Sequence, residues 1–273
     1  MLPDKNLKGN IERFSGFAGY YDKYRPEAPQ MVVEILTGYL GRRPEMVVDL
    51  ASGTGLSTFI WKDYAGRVIG VEPNGDMRGR ASEKLAGTGN ASNISFQEGY
   101  SNRMNMEAES VDIITCSQAF HWMEPESTLE EVSKVLKGGG VFAAYDCDWP
   151  PTVHWTLENE FIKLHGKADE ISGRILKPED RAFKRNKNEH LKNLKESKRF
   201  RFTREIVFHN LEKCDAERYA GLALSQGGVQ AVIKSGVQEI NPQIEKFTRT
   251  VEEYFGGRTI DIMFSYRMRL GIK

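Results

Sequence analysis

Cysteine is scarce and badly placed for covalent or metal chemistry: Cys116, Cys147 and Cys214 are three in 273 residues, far apart and without a C-x-x-C pair. An odd, scattered set points away from a disulfide framework or a thiolate metal site, and each reads as a small buried hydrophobe. Net charge is missing too. Lys plus Arg and Asp plus Glu both number 38, so no global field draws the protein to nucleic acid or to an anionic membrane. No stretch approaches the roughly 18 apolar residues of a membrane span, and the opening MLPDKNLKGNIERF has no apolar core of a signal. A cytoplasmic protein is the expectation. His154, His165, His190 and His209 show no metal-ligand spacing, and no metal is expected. Repeats and low-complexity tracts are lacking as well.

What is present is enough apolar residue, 40% of the chain, to build one large core rather than a disordered coil. From about 46 to 146 short β-branched runs alternate with longer amphipathic ones, the grammar of βαβ units and a mostly parallel sheet. Strands are expected at 46–50, 67–72, 93–97, 111–116 and 140–146. Helices are expected between them at LSTFIWKDY, GDMRGRASEKLA and STLEEVSKVLK, and upstream at 26–41, where a proline opens and a glycine closes the segment. Beyond Asp146 the pattern changes to helical segments, a strand-like RFRFTREIVFHN and a long closing strand, IDIMFSYRMRLGI. The late strands stand about fifty residues from the first five, which suggests a cap inserted before the sheet is completed.

The segment VVDLASGTGLST carries the chemistry: an apolar strand, an acid at its end, then a small-residue turn. Asp49, Ala51, Gly53 and Gly55 alternate there, and small side chains let a ligand approach the backbone at the carboxyl edge of a sheet. The turn lacks the third glycine of G-x-G-x-x-G. Its acid would repel a pyrophosphate but suits a ligand carrying positive charge, which disfavours a nicotinamide or flavin dinucleotide. Glu72 ends the next strand, at about the distance where an acid accepts hydrogen bonds from both ribose hydroxyls.

DLASGTGLST, VIGVEPNGDM, SVDIITCSQAFHWMEPE and EVSKVLKGGGVFAAYD, in that order, resemble the successive motifs of the class I S-adenosylmethionine-dependent methyltransferases. The resemblance is nearest to the type 11 branch that includes trans-aconitate methyltransferase-like proteins. There SQAFHW and an N-terminal F-x-x-x-A-x-x-Y-x-x-Y-R-P are typical, matched here by Phe14, Ala18, Tyr21, Tyr24, Arg25 and Pro26. It implies an α/β, three-layer, doubly wound fold: a mostly parallel seven-stranded sheet of Rossmann-like type, its last strand antiparallel, under a mainly helical cap. A single domain is expected, with a lid and helix at 1–45, a cofactor-binding core at 46–148, a cap at 149–199 and parts of 210–256, and closing strands at 200–209 and 259–272.

The resemblance also implies a site. Asp49, Ala51 and Gly53 would line the methionine part of S-adenosylmethionine, Gly55 would belong to the same cofactor-binding turn, and Glu72 would hold the ribose. Pro73 and Met77 would flank the adenine, and Ser101 would sit at the adenine's polar edge. Gln118 and Ala119 would lie beside the sulfonium, with Tyr21 and Arg25 closing over the amino-acid end. Phe120, His121 and Trp122 would face the acceptor, with His121 as base if a hydroxyl is methylated. Two positions depart from the family pattern: Ala51 replaces a frequent glycine, and GYSNRM replaces G-D-A-E-x-L, removing the acid expected near the adenine amine. The reaction implied is methyl transfer to a small-molecule acceptor, a carboxylate or hydroxyl, leaving S-adenosylhomocysteine, in a monomer or homodimer with no nucleic-acid or membrane partner. Two other readings stay open: a binder of the same nucleoside without catalysis, and a nicotinamide-dependent oxidoreductase. Residues 174–204 hold twelve Lys or Arg against four Asp or Glu. That stretch reads as a solvated face, or as part of the cap drawing in an anionic acceptor.

Overall fold

The computed structural model describes residues 2–89, 91–177 and 181–273. Seven strands, β1 (Met46–Leu50), β2 (Arg67–Val71), β3 (Ile94–Gln97), β4 (Val111–Ser117), β5 (Leu136–Cys147), β6 (Phe202–Cys214) and β7 (Ile260–Ile272), form one sheet in the order β3-β2-β1-β4-β5-β7-β6. β1 runs parallel to both β2 and β4, with Met46 opposite Arg67 and Val47 opposite Ile113. β7 alone runs against its neighbours, Ile272 lying opposite Val141 of β5 and Phe202 of β6. The order reverses at β1, and the crevice between the ends of β1 and β4 is where such sheets bind ligands.

Alternation along the strands divides the core in two. Val47, Val68, Ile113, Val141 and Tyr145 face one way, toward α3 (Met31–Leu40), α6 (Trp155–Ile175), α8 (Ala216–Leu224), α9 (Gly227–Ser235) and α10 (Asn241–Phe255). Val48, Leu50, Ile69, Ile114 and Phe142 face the other way, toward α5 (Pro125–Val135) and α7 (His190–Glu196). α4 (Gly75–Gly87) opens on Asn74, whose side chain accepts from the Met77 N–H at 3.0 Å, and α5 opens on Glu124 with Pro125 at its first position. Both are starts of the kind that stop orphan N–H groups from raising the energy of a helix end. The two short helices α1 (Lys8–Glu12) and α2 (Ala18–Tyr24) precede the sheet. No described helix is long and apolar enough to cross a membrane.

One expected helix is not formed. LSTFIWKDY folds as a chain of turns with one short 3-10 stretch at Phe59–Trp61, closed by bonds such as Thr58 N–H to Gly55 and Trp61 N–H to Thr58. β-Branched and aromatic residues favour a helix weakly. Here Ser57 and Thr58 also commit their hydroxyls to Asp49, and Trp61 is completely buried. A tertiary anchor at both ends therefore overrides the amphipathic spacing. β6 also begins and ends later than RFRFTREIVFHN suggests, its ladder with β7 running on to Cys214 opposite Ile260. Residues 178–180 of the basic stretch lie outside the described residues.

Candidate active site

Two residues at the strand ends sit in the left-handed region that side chains avoid: Ala51 after β1 (φ 52°) and Gln118 after β4 (φ 53°). Such strain is held only where the surroundings over-determine it, and it concentrates at ligand sites. Gly53 follows in the same region (φ 57°), and a Cβ on it would stand 3.5 Å from the Met77 methyl, so the turn offers bare backbone. Beneath it the Asp49 carboxylate is fully buried and accepts from Ser57 and Thr58 on one oxygen (2.6 and 2.7 Å) and from Thr115 on the other (2.7 Å). Burial pushes its pKa up, against the pull of those three hydroxyls.

Glu72, at the end of β2, is buried and bound twice by backbone: Gly53 N–H to Oε2 at 2.9 Å and Asn74 N–H to Oε1 at 2.8 Å. Burial raises it to about 7 while the two N–H groups oppose the rise. Each carboxylate oxygen keeps a lone pair, so two further donors can be met. A cavity of about 90 Å³ lies above it, lined by Tyr21, Ala51, Gly53, Glu72, Pro73, Met77, Ser101, Gln118, Ala119 and Trp122, with Asn6, Asn10 and Phe14 of the N-terminal segment across its top. Ser101 shares a 2.8 Å hydrogen bond with Thr128.

Nine of the twelve residues expected to hold a cofactor thus share this crevice. Asp49 and Gly55 do not. Asp49 braces the floor from below, and Gly55 is packed behind it, where a Cβ would meet the Phe59 ring at 2.7 Å. Arg25 lies one step away, in a neighbouring cavity that reaches Ala51, Gly53 and Ser57 and also Tyr21. Its Nη2 donates to Gln226 Oε1 at 2.8 Å, its guanidinium stands 5.0 Å from the Tyr21 ring centre and 4.7 Å from that of Trp149, and no carboxylate among the described residues pairs with it. Burial lowers its pKa accordingly.

A larger chamber of about 680 Å³ opens beside the crevice and shares Phe14, Tyr21, Gln118 and Trp122 with it. His121 and Trp122 line it. Phe120 does not, being buried below against Phe142 and His190. His121 Nδ1 stands 3.3 Å from Asp146 Oδ1, and Lys187 Nζ meets the same oxygen at 2.8 Å, while His190 and Arg269 approach the other at 3.6 and 3.8 Å. Burial drives His121 down to about 4, against the pull of Asp146. Burial alone would raise the Asp146 carboxyl, but His121 and the Lys187 charge hold it well below the usual carboxylate range. His121, Asp146 and His190 offer ligand atoms within 4.8 Å of one another, the spacing of a metal set. Lys187 and Arg269 already bring to Asp146 the positive charge that an ion would bring.

The sequence reading missed Asp146, Lys187 and Arg13. Asp146 carried a signal, an acid closing an apolar strand just as Asp49 and Glu72 do. Lys187 lay inside the basic stretch 174–204 and was legible only as part of that charge, while Arg13 carried no signal, since only the folding of the N-terminal segment over Trp122 brings it in. Asn10 makes that closure, donating to the Trp122 and Phe183 carbonyls at 2.8 and 3.0 Å and accepting from the Phe183 N–H at 2.7 Å.

Comparison with known proteins agrees with this geometry. Residues 48–144 match the family described as "Methyltransferase domain". The chain is 27% identical over 166 residues to a Saccharomyces cerevisiae protein named "Probable S-adenosylmethionine-dependent methyltransferase CRG1", covering 60% of this chain and 57% of that one. It is 21% identical to a methyltransferase-like protein of Dictyostelium discoideum over 96% of its own length and 95% of the other's. The solved structure of a type II methyltransferase candidate from Anaeromyxobacter dehalogenans superposes with a TM-score of 0.66 at 18% identity, over 91% of this chain and 98% of that one. Residues 48–144, which hold the strained carboxyl-edge turns, are thus similar to a methyltransferase domain, and the superposition shows that the chain shares the fold of that structure.

Proposed function

We propose that the chain transfers a methyl group from S-adenosylmethionine to a small-molecule acceptor seated in the larger chamber. The observation that carries this reading is the position of Glu72, a buried carboxylate with free lone pairs at the mouth of a backbone-lined crevice. It suits two vicinal hydroxyls. Pro73 and Met77 would flank the purine, with Ser101 at its polar edge in place of the acid that related sequences carry. Gln118 and Ala119 would sit beside the sulfonium. Arg25, a cation without a carboxylate partner among the described residues, would take the amino-acid carboxylate as a fork, with Tyr21 over it. Asp49 contributes from beneath by fixing the turn, and Gly55 by letting Phe59 pack close behind it.

The cofactor supplies a methyl group already activated on sulfur, so no protein nucleophile is needed. The residues of the chain align the acceptor and keep water out of the crevice. Aromatic faces at Trp122, Tyr21 and Phe14 close the channel between crevice and chamber and suit a positive charge. His121 is neutral at physiological pH and, with Nδ1 turned to Asp146, leaves Nε2 for an acceptor hydroxyl. A carboxylate acceptor would need no such help.

Isothermal calorimetry with S-adenosylmethionine and S-adenosylhomocysteine tests the reading. Both should bind, and Glu72→Ala should weaken both by about 10- to 100-fold through loss of one or two charge-assisted hydrogen bonds. Absence of heat from either nucleoside with folded native protein refutes it.

A further inference from the structure

The walls of the larger chamber carry six cations, Arg13, Arg25, Arg181, Lys184, Lys187 and Lys234, against two acids, Glu12 and Asp169. Four of the six have polar partners. Arg25 donates to Gln226, Arg181 to the Leu176 and Gly173 carbonyls, Lys187 to Asp146, and Lys234 to the Ser15 carbonyl. Arg13 and Lys184 make no hydrogen bond or ion pair among the described residues.

Arg13 is the unusual one. Its guanidinium lies flat against Trp122, 3.9 Å from the ring centre, and its Nε is shut off from solvent without a partner. Burial and the charge of Arg25 lower its pKa to about 10 against the pull of Asp169, and Lys184 is lowered in turn by burial, by Lys187 and by Arg13 itself, against Asp146 and Asp169. An enclosed guanidinium that repels its neighbours is a costly arrangement unless an anion completes it.

The first turn of α9 converges on the same place. Its N-cap, Gln226, makes no capping bond, and Gln226 Nε2 is buried without a partner. Gly227 and Gly228 follow, both lining the chamber, and a Cβ on Gly227 would stand 2.4 Å from Arg13 Nη2. Gly227 therefore brings the bare start of a nine-residue helix up to the guanidinium, while Gly228 lies on the side of Asp169, whose Oδ1 would stand 3.2 Å from a Cβ there. Free N–H groups at a helix start, joined by a planar fork of donors, match the oxygens of a carboxylate or a phosphate.

We propose that Arg13, the N-terminal turn of α9 and Lys184 at the rim form a receptor for an anionic group, carboxylate or phosphate, on the acceptor. This group is distinct from the atom that is methylated. Both guanidinium groups line the chamber, but Arg25 alone also reaches the neighbouring cavity beside Ala51, Gly53 and Ser57, so the anion held by Arg13 is separate from the one assigned to Arg25. Trp122 carries Arg13 on its face and has the His121 ring 4.5 Å away, so the indole spaces the held anion from the reacting end. The inference rests on the proposed methyl transfer only in calling the ligand the acceptor.

The test is calorimetry on protein saturated with S-adenosylhomocysteine, titrated with inorganic phosphate, with benzoate, and with benzamide as the neutral match to benzoate. One of the anions should bind saturably and benzamide should not, and the arm that binds tells phosphate from carboxylate. Arg13→Gln should weaken that anion by about tenfold or more and Arg13→Lys by less, because the fork is lost while the charge stays. Lys184→Gln, at an exposed position that leaves the fold intact, should weaken it severalfold and steepen no other titration. S-adenosylhomocysteine affinity should stay within twofold in every variant. The receptor is overturned if neither anion binds saturably to native protein, if benzamide binds saturably too, or if the Arg13→Gln and Lys184→Gln proteins bind the anion undiminished. Should native protein take an anion at this site yet ignore the nucleoside, the proposed methyl transfer fails and the receptor stands.

Discussion

At Ala51 the backbone adopts a conformation that costs an L-residue roughly 1–2 kcal/mol and costs glycine almost nothing. Glycine is freer in the unfolded chain, which takes back about 0.4–1 kcal/mol. The balance predicts that Ala51→Gly leaves stability level or raises it by up to about 1.6 kcal/mol, with nucleoside affinity unchanged, since the Cβ only lines the crevice. Denaturant titration beside calorimetry reads both, and a clear loss of stability would mean that the alanine methyl packs more tightly than the cavity shows. His121 makes a second case at this scale. On a hydroxyl acceptor, His121→Ala should cut turnover by about 10²- to 10⁴-fold and leave S-adenosylhomocysteine affinity alone. With its pKa held at about 4 by burial, the base form fills the neutral range. Turnover in the native protein should therefore stay flat from pH 8 to about 5.5 and fall only as pH approaches that value. Full turnover in the alanine variant would remove His121 from the chemistry.

At the level of elements, the parts that announce themselves in the sequence are those whose pattern and environment agree. β1, β2 and β4 are apolar on both faces because helices cover both faces, and their runs of Val and Ile show it directly. The acids ending β1 and β2 were legible as site residues, although only the fold separates their duties: Asp49 below the floor, Glu72 on it. LSTFIWKDY misleads because its spacing suits a helix, while its hydroxyls and its indole are spoken for by Asp49 and the core. Phe120 misleads in a similar way, for SQAFHW is a 3-10 turn that points consecutive side chains apart, Phe120 into the core and His121 and Trp122 into the chamber. The basic stretch was legible only as charge. Folded, it is split: Arg174 pairs with Glu239 and Lys192 with Glu189, while Arg181, Lys184 and Lys187 turn to the chamber. A run of charge in a sequence does not say which members find acids, because the acids come from other elements.

The whole molecule has a pH response that these same burials dictate. His121, His165 and His190 are each held down to about 4 by burial, against an ordinary value of 6.5. A histidine kept neutral in the fold gains a proton on unfolding, so its stabilising share is complete above pH 6.5 and is lost as pH falls toward 4. Glu72 acts in the opposite sense. Raised to about 7 from 4.5, it takes up its proton in the folded state first, and so favours folding as pH drops through that window. Three histidines against Glu72, with the Asp49 carboxyl also raised by burial, leave the unfolded chain ahead by at most about two protons between pH 6 and 5, or at most about 2.7 kcal/mol per pH unit. Some of this is screened, because His165 lines the open chamber. Thermal unfolding at pH 7, 6 and 5 and constant ionic strength should show Tm falling with growing slope. Glu72→Gln should steepen the fall by removing a group that opposes it, and His165→Phe, which keeps the stack on Phe161, should flatten it. A Tm that holds level from pH 7 to 5 in native protein would mean that His121 and His190 take up protons inside the fold, with Asp146 outweighing their burial.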